Sequence, residues 1–141
     1  MIAYVDASAL LRVALGQPDA LPEWSRIERG VSSALITTES LRTLDRLRLR
    51  VTLDDAEIAR RRAKILELIA SLEIVEIDAM VLDRASQPMP TEIGTLDAIH
   101  LATALLWKDM TQEDLTMATY DGALALASRA HGLPVIGVKQ E

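Results

Sequence analysis

Four carboxylates, Asp6, Glu39, Asp97 and Asp121, stand where a carboxylate can do chemistry. Asp6 follows the apolar run Ile2-Ala3-Tyr4-Val5. Glu39 falls within a turn of Val31-Ser32-Ser33-Ala34-Leu35-Ile36. Asp121 follows Leu115-Thr116-Met117-Ala118-Thr119, and Asp97 opens the most apolar segment of the chain, Ala98 to Trp107. An acidic residue at a helix N-terminus is also an ordinary cap and dipole partner, so each of the four, taken singly, reads either way. Brought to one edge of a sheet, four carboxylates would repel one another unless a cation neutralised them. With no cysteine and no ligating pair of histidines, the donors are oxygens, which select a hard cation such as Mg²⁺ or Mn²⁺. Such ions suit phosphoryl transfer, because they activate water and stabilise charge on phosphate. Ser8, two residues beyond Asp6, is placed to hold a carboxylate or a water, to touch substrate, or to cap a helix; Thr119 is similar. His100 lies one turn after Asp97. A single histidine in so apolar a segment reads as a packed, hydrogen-bonded residue before it reads as a general base.

The elements that must position these groups alternate along the chain. The strand Ile2–Val5 leads into a helix from Ala9 to Leu15, and Gly16-Gln17-Pro18-Asp19 breaks it. A second short helix is expected over Ala20 to Arg29, ended by Gly30. The strand Val31–Ile36 precedes a helix opened by Thr37-Thr38-Glu39, with Thr37 or Thr38 as N-cap. A further helix starts at Thr52-Leu53-Asp54-Asp55, where Thr52 and Asp55 have capping-box spacing, and closes at Ser71. Then come the strand Leu72–Ile77, a helix from Ala79 to Ser86, the punctuation Pro88-Met89-Pro90 and the apolar helix carrying His100. Last are the strand Leu115–Thr119, a helix from Ala123 to Ala130, and the strand Leu133–Val138, which Pro134 places at an edge. This alternation predicts one α/β domain over residues 1–141, a three-layer sandwich with a five-stranded parallel sheet flanked by helices.

Composition narrows the function. A chain of 141 residues buries roughly 68–70% of its unfolded surface and needs no staples. The absence of cysteine excludes disulfides and thiolate catalysis. Asp6 and Arg12 interrupt the apolar N-terminus, no basic stretch precedes it, and no run reaches membrane-spanning length, so a cytoplasmic protein is expected. The net charge of −6 argues against non-specific nucleic-acid binding by the surface as a whole. Between Arg42 and Lys64, however, eight basic residues face four acidic ones. That segment reads either as a solvated helical face or as a phosphate-contacting surface, in which Arg42 and Arg46 would touch substrate. No Walker loop or dinucleotide glycine fingerprint is present. A receiver domain lacks its early acidic pair here, and a haloacid-dehalogenase phosphatase would need an acid where Ser8 stands.

Four segments carry a resemblance: Val5-Asp6-Ala7-Ser8-Ala9-Leu10, Thr38-Glu39, Thr95-Leu96-Asp97-Ala98-Ile99-His100-Leu101-Ala102, and Ala118-Thr119-Tyr120-Asp121. In their order and spacing the chain resembles the PIN-domain ribonucleases, most closely the VapC-type toxins of prokaryotic toxin–antitoxin pairs. The resemblance implies a parallel five-stranded sheet and an endoribonuclease dependent on Mg²⁺ or Mn²⁺. It implies Asp6, Glu39, Asp97 and Asp121 as the metal-binding and catalytic quartet, with Ser8 as an accessory polar residue. It also implies a homodimer and a cognate antitoxin that covers the acidic cleft. The opposing expectation is a catalytically inactive PIN-like module that binds RNA or protein, its carboxylates serving only as caps; a third is cleavage of DNA by the same metal chemistry.

Overall fold

The computed structural model describes residues 1–138, so residues 139–141 of the expected domain lie outside it. The chain forms β1 (Ile2–Val5), α1 (Ala7–Ala14), β2 (Arg29–Ser33), α2 (Leu35–Arg50), α3 (Asp55–Ala70) and β3 (Glu73–Val75). These are followed by α4 (Ala79–Ala85), α5 (Thr95–Thr111), β4 (Thr116–Thr119), α6 (Gly122–Ala130) and β5 (Val135–Gly137). The five strands make one parallel sheet in the order β3-β2-β1-β4-β5. β5 is at an edge, as Pro134 demands.

Alternation along β1 sorts the core into two layers. Ala3 and Val5 pack with Leu10, Leu11, Ile36, Leu44, Ile65 and Ile69, so α1, α2 and α3 cover one face. Tyr4 packs with Leu101, Leu105, Trp107, Leu124 and Ala127, so α5 and α6 cover the other. Leu10 and Leu101 have no exposed surface, and truncating either to alanine would cost about 2–5 kcal/mol. With almost no aromatic residues available, aliphatic interdigitation carries the core. No helix among the described residues is long and apolar enough to cross a membrane.

Besides shorter third and fifth strands and a first helix that starts at Ala7, three boundaries differ from the sequence reading. The segment Ala20 to Arg29 is not an α-helix. It holds only a 3₁₀ turn at Trp24–Arg26, because Pro22 disfavours helix at Leu21 and because Arg29 and Gly30 pair with Ile2 and Ala3. Gly30 is therefore a strand residue. A Cβ there would lie 2.4 Å from Leu72 Cδ2, so a larger residue would require the Leu72 side chain to shift. The second strand ends at Ser33, whose Oγ accepts from Leu35 N at 3.1 Å, and α2 begins at Leu35, two residues before Thr37-Thr38-Glu39 would have opened it. Thr37 and Thr38 are thus interior to α2, and Ala34 occupies the N-cap position with no side-chain hydrogen bond. On α3 the cap is Asp54, which accepts from Glu57 N at 2.7 Å, rather than Thr52.

Candidate active site at the strand ends

The sheet order puts a topological switch between β1 and β4: the chain builds outward from β1 through β2 and β3, then returns to β1's other side with β4 and β5. In open parallel sheets the crevice beyond the carboxyl ends of such a strand pair is where ligands bind. Asp6 stands at the end of β1 and Asp121 just past the end of β4. α5 runs back before β4 begins, so its first turn, with Asp97, lies at the same edge. Glu39 reaches that edge from the second turn of α2, not from an N-terminus.

Asp6 is the anchored member. It is 5% exposed and is the N-cap of α1. Its Oδ1 accepts from Ser8 Oγ at 2.7 Å and Ala9 N at 3.0 Å, and its Oδ2 accepts from Thr119 Oγ1 at 2.5 Å. Burial pushes its carboxyl above the usual range. The donors from Thr119, Ser8 and Ala9 pull the other way and do not fully offset it. Thr119 itself accepts from Asp121 N at 2.9 Å, and Ser8 accepts from Tyr120 N at 2.8 Å. Two hydroxyls therefore lace the end of β4 to the end of β1. Asp121 caps α6, its Oδ1 accepting from Leu124 N at 2.9 Å.

Asp97 is different. It sits in the first turn of α5 and, among the described residues, its carboxylate accepts no hydrogen bond. Its carboxyl is raised to about 6, first by burial, then by the charge of Asp121, with Asp6 and Glu39 adding to the rise and His100 opposing it. Asp97 therefore feels the charge of the other three carboxylates. Their side chains are not drawn into a closed coordination set: among the described residues no three His, Asp or Glu side chains are grouped to hold one ion. The donors fit a hard divalent cation in type and in charge, and the repulsion at Asp97 is what such an ion would relieve.

Glu39 is held by His100. The His100 Nε2 and Glu39 Oε1 are hydrogen-bonded, and on the other side of the ring Tyr4 Oη lies 2.7 Å from Nδ1. His100 is 1% exposed and Tyr4 fully buried. The sequence offered His100 as a packed, hydrogen-bonded residue, but nothing in it pointed to Tyr4. That tyrosine read as one more apolar position of β1.

A groove of about 730 Å³ leads away from this edge. Ser8 and Glu39 line it where it meets the carboxylates, and Arg12, Arg42, Arg46 and Arg50 line its length. Arg42, Arg46 and Arg50 recur every four residues, so α2 presents them as one stripe. Arg42 is paired with Asp45 at 3.0 Å, and Arg46 donates to Thr43 Oγ1 at 3.0 Å. Neither Arg46 nor Arg50 has a carboxylate within 4.0 Å among the described residues. Arg12 lies 3.9 Å above the Tyr120 ring and is bound to Asp19 at 3.1 Å. The α3 half of the basic segment behaves otherwise: Arg60 and Arg61 both pair with Glu57, and Lys64 with Glu67. The basic segment thus divides into a groove lining on α2 and a solvated, self-paired face on α3.

The pattern of the PIN domain matches residues 3–133. Ribonuclease VapC46 of Mycobacterium tuberculosis is 37% identical over 137 residues, covering 94% of this chain and 95% of that protein. Among solved structures, PAE2754 from Pyrobaculum aerophilum superposes with a TM-score of 0.64 at 19% identity, covering 96% of this chain and 83% of the other. A toxin–antitoxin complex from Klebsiella pneumoniae gives 0.64 at 16% identity, covering 87% and 89%. These two share the fold. Together with the strand order and the carboxylates at the switch point, the matched pattern and the close relative place the chain in the PIN domain family.

Proposed function

We propose that this chain is an endoribonuclease that hydrolyses RNA phosphodiester bonds with Mg²⁺ or Mn²⁺, and that it is the toxin of a toxin–antitoxin pair. The observation that carries the reading is the arrival of Asp6, Asp97, Asp121 and Glu39 at the carboxyl edge of the β1/β4 switch point, where Asp97 feels the charge of the other three. The arginine-lined groove and the kinship with a ribonuclease support it. Asp6, Asp97 and Asp121 would hold the cation together with the Glu39 oxygen that His100 leaves free. When bound, the ion offsets the repulsion among these carboxylates and acts as a Lewis acid toward the phosphodiester.

The chain's own residues do the rest. Ser8, Ala9 and Thr119 fix Asp6 in one orientation, so its charge is aimed before substrate arrives. Arg46 and Arg50 take phosphates along the groove, Arg42 joins them on leaving Asp45, and the Ser8 edge receives the scissile phosphate. His100 has both ring nitrogens engaged and is 1% exposed, so it cannot deprotonate a ribose 2′-hydroxyl. His131 terminates α6. Water is then the attacking group, the P–O3′ bond breaks, and the products are a 3′-hydroxyl and a 5′-phosphate. The acidic edge and basic groove also suit a basic tail of an antitoxin, and a second copy of the chain is the other partner this reading carries.

The test offers purified protein a mixed-sequence RNA and the matching DNA, with Mg²⁺ or Mn²⁺ and with EDTA. RNA cut only with metal, carrying 5′-phosphate ends and lost in Asp6→Asn, is the expected result. Cleavage that survives EDTA, products with 2′,3′-cyclic ends, or full activity in Asp6→Asn would overturn the assignment. Binding without cleavage would leave the inactive module as the answer, and DNA cut as readily as RNA would move the substrate.

A further inference from the structure

The mechanism above leaves two buried groups without work, the Tyr4 hydroxyl and the His100 imidazole. They are adjacent, hydrogen-bonded, and end on a candidate ligand. Tyr4 belongs to the layer that packs with α5, and Glu39 to a helix on the opposite face of the sheet. The chain of atoms Tyr4 Oη, His100 Nδ1, His100 Nε2, Glu39 Oε1 therefore crosses the sheet's carboxyl edge and ties the two helical layers together at the site. The rings of Tyr4 and His100 meet edge to face, with centroids 5.7 Å apart and planes at 75°, so the imidazole is held in plane as well as by its nitrogens.

We infer that His100, braced by Tyr4, is a positioning residue: Nε2 carries a proton and donates it to Glu39 Oε1, which fixes the carboxylate and leaves Oε2 as its one donor to a cation. The assignment follows from the partner. A carboxylate oxygen only accepts, so the nitrogen facing it carries the hydrogen. The Tyr4 hydroxyl can serve Nδ1 as donor or acceptor. Burial raises its ionisation far above the ordinary range, so it stays a hydroxyl throughout. Glu39 needs this help more than Asp6 and Asp121 do. Asp6 and Asp121 are fixed by backbone amides at helix N-termini, whereas Glu39 rises from inside α2, where no free amide exists. It also has one more rotatable bond than an aspartate. Hydrogen-bonded outer groups of this kind are typically worth ten- to a hundredfold in metal affinity.

This inference deepens the metal-dependent reading and rests on it, but two of its readouts do not need activity. In metal-free, ¹⁵N-histidine-labelled protein, which has two histidines to assign, the His100 Nε2 should show a bonded hydrogen. A pyridine-type, unprotonated Nε2 overturns the proposal. Mn²⁺ titration by calorimetry should show affinity about ten- to a hundredfold weaker in His100→Ala and at most about tenfold weaker in Tyr4→Phe. His100→Gln, whose amide can still donate to Glu39, should recover most of the loss. With RNA, kcat should fall along the same series while KM holds. Should His100→Ala fail to fold, the bonded hydrogen on Nε2 and a several-fold loss of Mn²⁺ affinity in Tyr4→Phe still decide. Wild-type Mn²⁺ affinity in a folded Tyr4→Phe and His100→Ala pair, or equal losses in His100→Gln and His100→Ala, would show a merely structural contact. If the wild type neither binds Mn²⁺ nor cuts RNA, the nuclease reading fails, while the proton on Nε2 still tests the bond from His100 to Glu39 by itself.

Discussion

Asp97→Asn should make the metal-free protein more stable at neutral pH while destroying its activity. Asp97 ionises near 6 in the folded chain and near 3.8 in a model peptide. Folding therefore favours its protonated form. Below the unfolded value the group is neutral in both states and contributes no penalty. As pH rises from there the penalty accumulates, and it is complete above about 6. At 1.36 kcal/mol per pH unit the ceiling is roughly 3 kcal/mol. Asp97 is only partly buried, and its charge gains a few tenths of a kcal/mol from the α5 N-terminus, so about 1 kcal/mol survives solvent screening. Asparagine has the same shape and no charge. In EDTA at pH 8 it should raise Tm by about 3 °C for a domain of this size. The gap should close as pH falls below 4. Adding Mg²⁺ should reverse the order, because the wild type gains binding free energy that the variant lacks. Differential scanning calorimetry at pH 4, 6 and 8, with and without Mg²⁺, reads all of this. A lower Tm for Asp97→Asn at pH 8 in EDTA, or a gap that ignores pH, would refute the claim that burial and its neighbours' charges disfavour the charged form of Asp97.

Thr119→Val removes the donor to Asp6 Oδ2 at nearly constant shape; it should cost about 1–3 kcal/mol in urea unfolding and lower kcat with little change in KM. Arg46→Ala and Arg50→Ala should raise KM for RNA and leave kcat alone, each flattening the dependence of log K on log salt by about 0.7; a changed kcat or an unchanged slope would remove them from the groove's work. Gly137→Ala should destabilise strongly, because at φ 107° its Cβ would lie 2.1 Å from Thr119 O; since Thr119 holds Asp6, activity should fall faster than the folded fraction measured by circular dichroism.

The sheet and most of its helices were legible because apolar runs and helical periodicity alternate without interruption, and the parallel crossover rule then leaves few arrangements. Asp6 and Asp121 were legible for the same reason: a carboxylate ending an apolar run can hardly be elsewhere than a strand end. The position of Glu39 on its helix was not. Val31 to Ile36 is continuous apolar and small residues, and composition alone does not show where strand becomes helix. Ser33 settles it by accepting from Leu35 N, a contact that looks the same in sequence as any Ser before an apolar residue. The basic segment divided by partners rather than by composition. Arg60 and Arg61 share Glu57, three and four residues back on α3, while Arg46 and Arg50 have no acid at that spacing on α2. Tyr4 was hidden because strand alternation reports which face a side chain takes, and says nothing about what its hydroxyl meets there.

At Asp6 and Asp121 the cap and ligand readings are compatible. A parallel strand that feeds a helix delivers its last residue to the one place where free amides point outward. An aspartate there can satisfy the amide with one oxygen and keep part of its charge for the crevice. Asp6 does so through Ala9 N and Asp121 through Leu124 N, and the amide bond makes each rigid. The cost appears at Asp6, buried enough that its carboxyl is raised despite three donors. A cation at this edge would therefore bind in competition with protons. The protein's Mn²⁺ affinity should rise with pH up to about 6, where Asp97 becomes charged, and level off above it. Calorimetric titrations between pH 5 and 8 measure this directly. An affinity independent of pH over that range would mean that the ion is held by groups other than Asp97.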